Sequence, residues 1–117
     1  MSSVLFVATV GCVVVNVLIA VADYARAPFV LANSAEVGLP PASVPYLATL
    51  KLAGAVGLLI GLFGVRWLGL AAGAGLIAFF VGAVLAHIRA RVFHNLAFPG
   101  AFLLLAVAAT AYFAGGR

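Results

Sequence analysis

The sequence predicts an all-α integral membrane protein, a four-helix bundle with a short interfacial helix in its first loop. The first observation is composition: apolar residues make up 68% of the 117 residues and charged residues only 7%. Soluble domains average about 45–50% apolar residues and about 25% charged residues. A soluble chain this short could not bury so much apolar surface. The second is that the apolar residues form four long runs. The third is that none of these runs alternates in polarity, which excludes a transmembrane barrel.

The four runs are Val4–Ala22, Pro45–Phe63, Leu68–Ile88 and Ala97–Ala114. A hydrocarbon core of about 30 Å is crossed by about 20 helical residues, so each run is long enough to span. Backbone groups in lipid must bond within their own segment, which makes these spans helices. We therefore expect residues 1–117 to form a single membrane domain.

The first connection, Asp23–Val44, has 22 residues, which is too long for a plain turn. Pro28 suits a first helical turn, and Gly38 suits a helix stop. We expect a helix over Pro28–Val37 at the membrane surface. Its apolar side, formed by Phe29, Val30 and Val37, would face lipid. Its polar side, formed by Asn33 and Glu36, would face water. We also expect Ser43 to cap the second span.

Both acids and both histidines lie at one membrane face if all four runs cross. An even number of crossings places the two larger connections on the same side, so a functional site is expected there. The polar and aromatic residues of this face are Asp23, Tyr24, Arg26, Asn33, Glu36, Tyr46, His87, Arg89, Arg91, His94 and Asn95. The opposite face carries Arg66, Trp67 and Arg117.

Helical spacing predicts which faces point inward. Thr9, Cys12, Asn16 and Asp23 form one polar stripe in the first run. Small residues allow helices to approach closely in lipid, so we expect two further stripes to face the bundle. They are Lys51, Gly54, Leu58 and Gly61 in the second run, and Ala71, Gly75, Ala78, Gly82 and Ala86 in the third. The third run also contains Gly69-x-x-x-Gly73 outside this stripe, which suggests a dimer contact through the third or fourth helix.

Lys51 is the most informative residue, because an ionisable group within a span costs about 2.5–3.5 kcal/mol and usually faces the protein interior. It is either a ligand contact or proton-handling group, or the partner of Asp23 in a structural ion pair. His87 is either an acid/base group or an interfacial histidine bonded to a loop carbonyl. The candidate ligand-binding residues are Asn16, Asp23, Lys51, His87 and Arg89; the candidate catalytic residues are Asp23, Lys51 and His87. No third ligand accompanies the histidines, so we expect no metal.

Three stretches resemble one known family. They are Ala22-Asp23 followed by Val30-Leu31-Ala32-Asn33 and Val37-Gly38-Leu39-Pro40; Leu50 to Leu59, reading LKLAGAVGLL; and Phe79 to Ala83, reading FFVGA, leading to Ala86-His87-Ile88-Arg89-Ala90-Arg91. Together they resemble the DoxX-like family of small bacterial membrane proteins. The resemblance implies a place in the bacterial inner membrane and polar family positions at Asp23, Lys51, His87 and Arg89. It also implies a link to quinones, redox complexes or the assembly of other membrane proteins.

The leading functional hypothesis is a protein that binds a lipid-like or quinone-like molecule, or an accessory subunit of a larger membrane complex. The alternative is a cofactor-independent enzyme of isomerase or epoxide-opening type that uses Asp23, Lys51 and His87. Flavin, haem, dithiol and phosphate-loop motifs are missing from the sequence, so we expect no cofactor. The scattered cations form no phosphate-tracking stripe, so nucleic acid is not an expected partner. The first span holds Asn16 rather than a carboxylate, which disfavours proton-coupled drug export.

Membrane orientation follows from the distribution of basic residues. The polar face carries Arg26, Arg89 and Arg91, against Arg66 and Arg117 on the other. The excess places the polar face in the cytoplasm and both termini outside. A reporter fused after Arg117 that is active only outside the cytoplasm should therefore give signal. Activity of the complementary, cytoplasm-only reporter would reverse the assignment.

Overall fold

The computed structural model describes residues 2–115, apart from the side chain of Ser2; Arg117 lies outside the described residues. Four long helices are apolar enough to cross a membrane, and a short helix follows the first, which confirms the predicted fold class. The helices are α1 (Ser2–Tyr24), α2 (Pro28–Glu36), α3 (Val44–Leu62), α4 (Arg66–Arg89) and α5 (Ala97–Ala114), with a 3-10 turn at Pro41–Ser43.

The four long helices form a ring in which α1 packs on α3 and α5, and α4 packs on the same two helices. Helices α1 and α4 therefore occupy opposite corners. The longest dimension is 41 Å, enough to cross a hydrocarbon core of about 30 Å. At the less polar end, Arg66 Nε donates to the carbonyl oxygen of Phe113 at 2.6 Å. This contact ties the start of α4 to the end of α5.

The polar stripe of α1 faces the interior, as predicted. Thr9, Cys12 and Asn16 are completely buried. The Thr9 hydroxyl donates to the Leu5 carbonyl at 2.7 Å, and the Asn16 amide donates to the Cys12 carbonyl at 2.8 Å. Bonding back to their own helix satisfies the Thr9 hydroxyl and the Asn16 N–H group among apolar neighbours, whereas the Asn16 side-chain oxygen has no hydrogen-bond partner within residues 2–115. The predicted inward stripe of α3 is also confirmed at Lys51, Leu58 and Gly61.

The predicted inward face of α4 is wrong for all of its residues but Ala86, which lines the interior cavity. Ala71, Gly75, Ala78 and Gly82 lie on the outer surface, whereas the buried residues are Gly69, Gly73, Leu76, Phe80 and His87. The cause lies in α5: a methyl group at Gly69 would meet the Phe113 ring at 2.7 Å, and one at Gly73 would lie 3.2 Å from the Thr110 Cα. Gly69-x-x-x-Gly73 is therefore used inside the bundle, and its assignment to a dimer contact is also wrong.

Helix α2 lies over the polar end of the bundle. Val30, expected to face lipid, is buried instead, whereas Phe29 is exposed. Asn33 is turned towards the bundle rather than towards water. Ser43 occupies the N-cap position of α3, as expected, but its side chain makes no capping hydrogen bond. Its hydroxyl donates instead to the Pro40 carbonyl at 2.7 Å, across the 3-10 turn Pro41–Ser43.

Left-handed backbone conformations end two helices at this same face. Arg26 has φ 54° just after α1, and Arg91 has φ 59° just after α4. Each is followed by an amide that bonds back five residues, Ala27 N–H to the Ala22 carbonyl and Val92 N–H to the His87 carbonyl. This is the helix-ending geometry that glycine usually supplies. It turns the chain sharply after α1, so that α2 returns over the bundle.

The close approach of α3 and α4 depends on Gly61. A methyl group there would lie 2.7 Å from the Gly69 Cα and 2.9 Å from the Phe113 ring. Since backbone atoms cannot move aside cheaply, Gly61→Ala should lower the free energy of unfolding by about 1–3 kcal/mol. Gly75→Ala is the matched control, because a methyl group at Gly75 meets nothing within 4 Å. Thermal unfolding of both variants in one detergent measures the difference; equal stability would contradict this packing.

Candidate binding cavity at the polar end

A cavity of about 220 Å³ lies between the four long helices, beneath α2. Most of its wall is apolar, with five aromatic side chains: Phe29, Phe79, Phe80, Phe98 and Phe102. Six polar residues also line it: Asp23, Asn33, Ser34, Lys51, His87 and Asn95. An apolar cavity with a few convergent polar groups is the usual form of a small-molecule site.

An ion pair forms one polar part of the wall. Lys51 Nζ lies 2.5 Å from Asp23 Oδ2, and the two side chains are only 11% and 4% exposed. Asp23 is the last member of the α1 polar stripe, and Lys51 projects from the inward stripe of α3. The pair therefore joins the first two spans near the polar interface.

The ammonium group of Lys51 has a second favourable neighbour. It lies 5.7 Å from the centre of the Phe79 ring, within the range of a cation–π interaction. Apart from the ion-pair contact, Asp23 Oδ2 has no hydrogen-bond partner. The carboxylate oxygen thus depends on Lys51 for compensation of its charge.

A second polar group links three parts of the chain. His87 Nδ1–H donates to the Ala83 carbonyl of its own helix at 2.8 Å, which places a proton on Nδ1. His87 Nε2 lies 3.3 Å from the side-chain oxygen of Asn33. Asn95 donates its amide to that same oxygen at 2.7 Å. Asn33 of α2 is thereby held against α4 and the segment before α5. His87 therefore bonds a carbonyl of its own helix, not the loop carbonyl expected for an interfacial histidine.

The candidate residues divide into two groups. Asp23, Lys51 and His87 line the cavity, while Asn16 and Arg89 are not among its lining residues. Asn16 is completely buried two turns before Asp23, and Arg89 is exposed at the end of α4. The proposed roles of all five in ligand binding or catalysis stay predictions.

The candidate residues chosen from the sequence did not include Ser34, Asn95 or the phenylalanines that line the cavity. Asn95 and Asn33 were placed at the polar end, but Asn33 was expected to point to water. The Glu36 carboxylate lies 3.3 Å from His94 Nε2 as an exposed pair outside the cavity. Within residues 2–115, histidine, cysteine, aspartate and glutamate side chains do not form a group of three that could hold a metal ion.

The chemistry on offer is donation of hydrogen bonds to a neutral molecule. An ammonium group has three N–H donors, and Asp23 occupies part of this capacity. The carboxylate also compensates the charge of Lys51, so an anionic ligand gains little. An uncharged molecule with an accepting oxygen suits this wall best.

Double substitution tests whether the pair is a single energetic unit. Asp23→Ala leaves Lys51 charged and unpaired, a loss of about 3–5 kcal/mol for fully buried groups and less where water reaches. Lys51→Met removes the charge from the apolar zone and should be milder. The double variant should recover much of the stability lost by Asp23→Ala alone.

Thermal unfolding of the four forms in one detergent gives the coupling energy. Glu36→Ala is the matched control, since removing the exposed partner of His94 should cost under about 1 kcal/mol. Strictly additive losses for Asp23 and Lys51 would show that the two residues are not paired.

Comparison with known proteins agrees with this architecture. The family model of the DoxX-like family matches residues 7–109. The matched range contains Asp23, Lys51 and His87, and the close approach of Gly61 to Gly69 between α3 and α4. Searches of curated proteins and of solved structures found no match. The match spans nearly all of the four-helix bundle, and the chain belongs to the DoxX-like family.

Proposed function

We propose that this protein binds a small, neutral, lipid-like or quinone-like molecule in the cavity at the polar end of the bundle, in the inner membrane of a bacterial cell. The observation that carries the proposal is the position of Lys51. It is paired with Asp23, and it also lines a largely apolar cavity. A lysine that served only to join two helices would need no such space beside it.

Cavity size supports a compact ligand. Engineered cavities of about 150 Å³ bind benzene, and this one holds about 220 Å³. One substituted six-membered ring fits that volume, whereas a large polycyclic compound does not. For a quinone-like molecule, the ring would occupy the cavity and any tail would leave it between the helices.

The wall supplies recognition at more than one point. Phe79, Phe80 and Phe102 offer ring faces and edges to an apolar body, which suits offset or edge-to-face stacking. Lys51 supplies a hydrogen-bond donor to a ligand oxygen. Asn33, whose side-chain oxygen accepts a hydrogen bond from Asn95 and lies near His87 Nε2, closes the cavity from the side of α2.

The enzymatic alternative uses the same cavity, because Asp23, Lys51 and His87 all line it. The contacts of His87 favour binding over acid/base catalysis by the three residues together, because the Nδ1 proton of His87 is committed to a helix carbonyl. An accessory subunit of a redox complex would use the same cavity to hold a molecule for its partner. A ligand-binding protein and an accessory subunit would therefore share one site.

Binding is tested with tetramethyl-1,4-benzoquinone, a neutral single ring with two accepting oxygens. At a concentration about 100 times its Kd, the quinone should stabilise the folded protein by about 2.7 kcal/mol. Ala83→Leu fills the cavity from α4 and should abolish that stabilisation.

Ala74→Leu is the matched control, because Ala74 lies on the outer surface of the same helix. It should retain the wild-type response in the same thermal-unfolding assay. An unchanged melting temperature of the wild-type protein at saturating quinone, or equal responses from the two leucine variants, would overturn the proposal.

A further inference from the structure

Lys51 is the only lysine in the sequence, and its position combines three features that amine chemistry needs. Its side chain is 11% exposed, so solvent reaches it poorly. It lines a cavity whose other lining is largely apolar. A carboxylate oxygen lies 2.5 Å from its nitrogen, near enough to exchange a proton with it directly.

We propose that Lys51 captures small apolar aldehydes from the membrane as a protonated imine, with Asp23 as proton acceptor, proton donor and counterion. This inference rests on the proposed function, because the aldehyde must first enter the cavity. It goes further in assigning a covalent step to one nitrogen and a chemical class, the apolar aldehyde, to the molecule captured.

The step balances with the groups present and the aldehyde. A proton moves from Lys51 Nζ to Asp23, leaving an amine and a carboxylic acid. The nitrogen lone pair attacks the carbonyl carbon, and the C=O π electrons move to oxygen. Proton exchange through Asp23 then gives the neutral carbinolamine, with Asp23 still protonated. Asp23 protonates the leaving hydroxyl, the C–O bond breaks to release water, and the nitrogen lone pair forms the C=N bond.

The surroundings compensate the positive charge on Lys51 both before and after this step. The product carries one positive charge on the same nitrogen, so Asp23 compensates it as it compensated the ammonium. The Phe79 ring, 5.7 Å from that nitrogen, stabilises either cation.

Trapping with borohydride provides the test. Purified protein in detergent is mixed with 4-methylbenzaldehyde and reduced, which converts the imine to a stable secondary amine. Mass spectrometry of the intact chain and its fragments should place the added group on Lys51. Glyoxylate, a charged and water-soluble aldehyde, should label Lys51 at least about tenfold less, because it must leave water to enter the cavity.

Three variants and one control test separately the amine, the proton transfer and the cavity. Lys51→Arg keeps a positive charge but forms no such imine, so labelling at this position should vanish. Asp23→Asn keeps the shape but removes proton transfer, and should slow trapping by about 100-fold. Ala83→Leu should block it by filling the cavity, while Ala74→Leu should label as wild type.

The outcomes distinguish this inference from the function on which it rests. If tetramethylbenzoquinone stabilises the protein but 4-methylbenzaldehyde is not trapped on Lys51, the cavity binds ligands and the imine step is wrong. If neither probe acts on the wild-type protein, both proposals fail. Equal labelling of Lys51 by the apolar and the charged aldehyde would also overturn the inference, since the cavity would then play no part.

Discussion

The contact between Asp23 and Lys51 constrains the whole polar end of the molecule. A lysine six residues into a membrane span needs a partner of opposite charge, because an unpaired ammonium is costly there. The partner is the carboxylate at the end of α1, 2.5 Å away. That distance fixes how α1 and α3 stand relative to each other at this face. It also leaves the cavity beside them with compensated charge, which is why a neutral ligand suits it.

The position of α2 follows from a second, smaller set of contacts. Arg26 adopts a left-handed conformation directly after α1, which turns the chain back over the bundle. Asn33 then bonds with Asn95 and approaches His87. Since Val30, Asn33 and Ser34 all line the cavity, α2 forms its roof. A ligand moving between cavity and surroundings on this side must displace α2 or pass beside it.

The spans could be predicted from the sequence because a long run of apolar residues is stable across a membrane only as a helix. The α1 stripe could be predicted because polar residues within a span avoid lipid and face the protein interior. The inward face of α4 could not be predicted, since small residues at four-residue spacing occur on two of its faces, Gly69 with Gly73 and Ala71 with Gly75. Only Thr110 and Phe113 of α5 decide between them, by occupying the space beside Gly69 and Gly73. The orientation of Asn33 likewise depends on His87 and Asn95, which are distant in sequence.

Stability alone does not explain a buried ion pair at this position. Replacing such a pair by well-packed apolar side chains is often neutral or stabilising by about 1–4 kcal/mol, and the lipid-spanning helices already pack through Gly61, Gly69 and Gly73. A methionine at position 51 and an alanine at position 23 would join α1 and α3 without desolvating two charges. What those residues could not do is present hydrogen-bond donors to the interior of an apolar cavity. The pair that sets the arrangement of α1 and α3 is therefore better explained by the chemistry it gives the cavity than by a gain in stability.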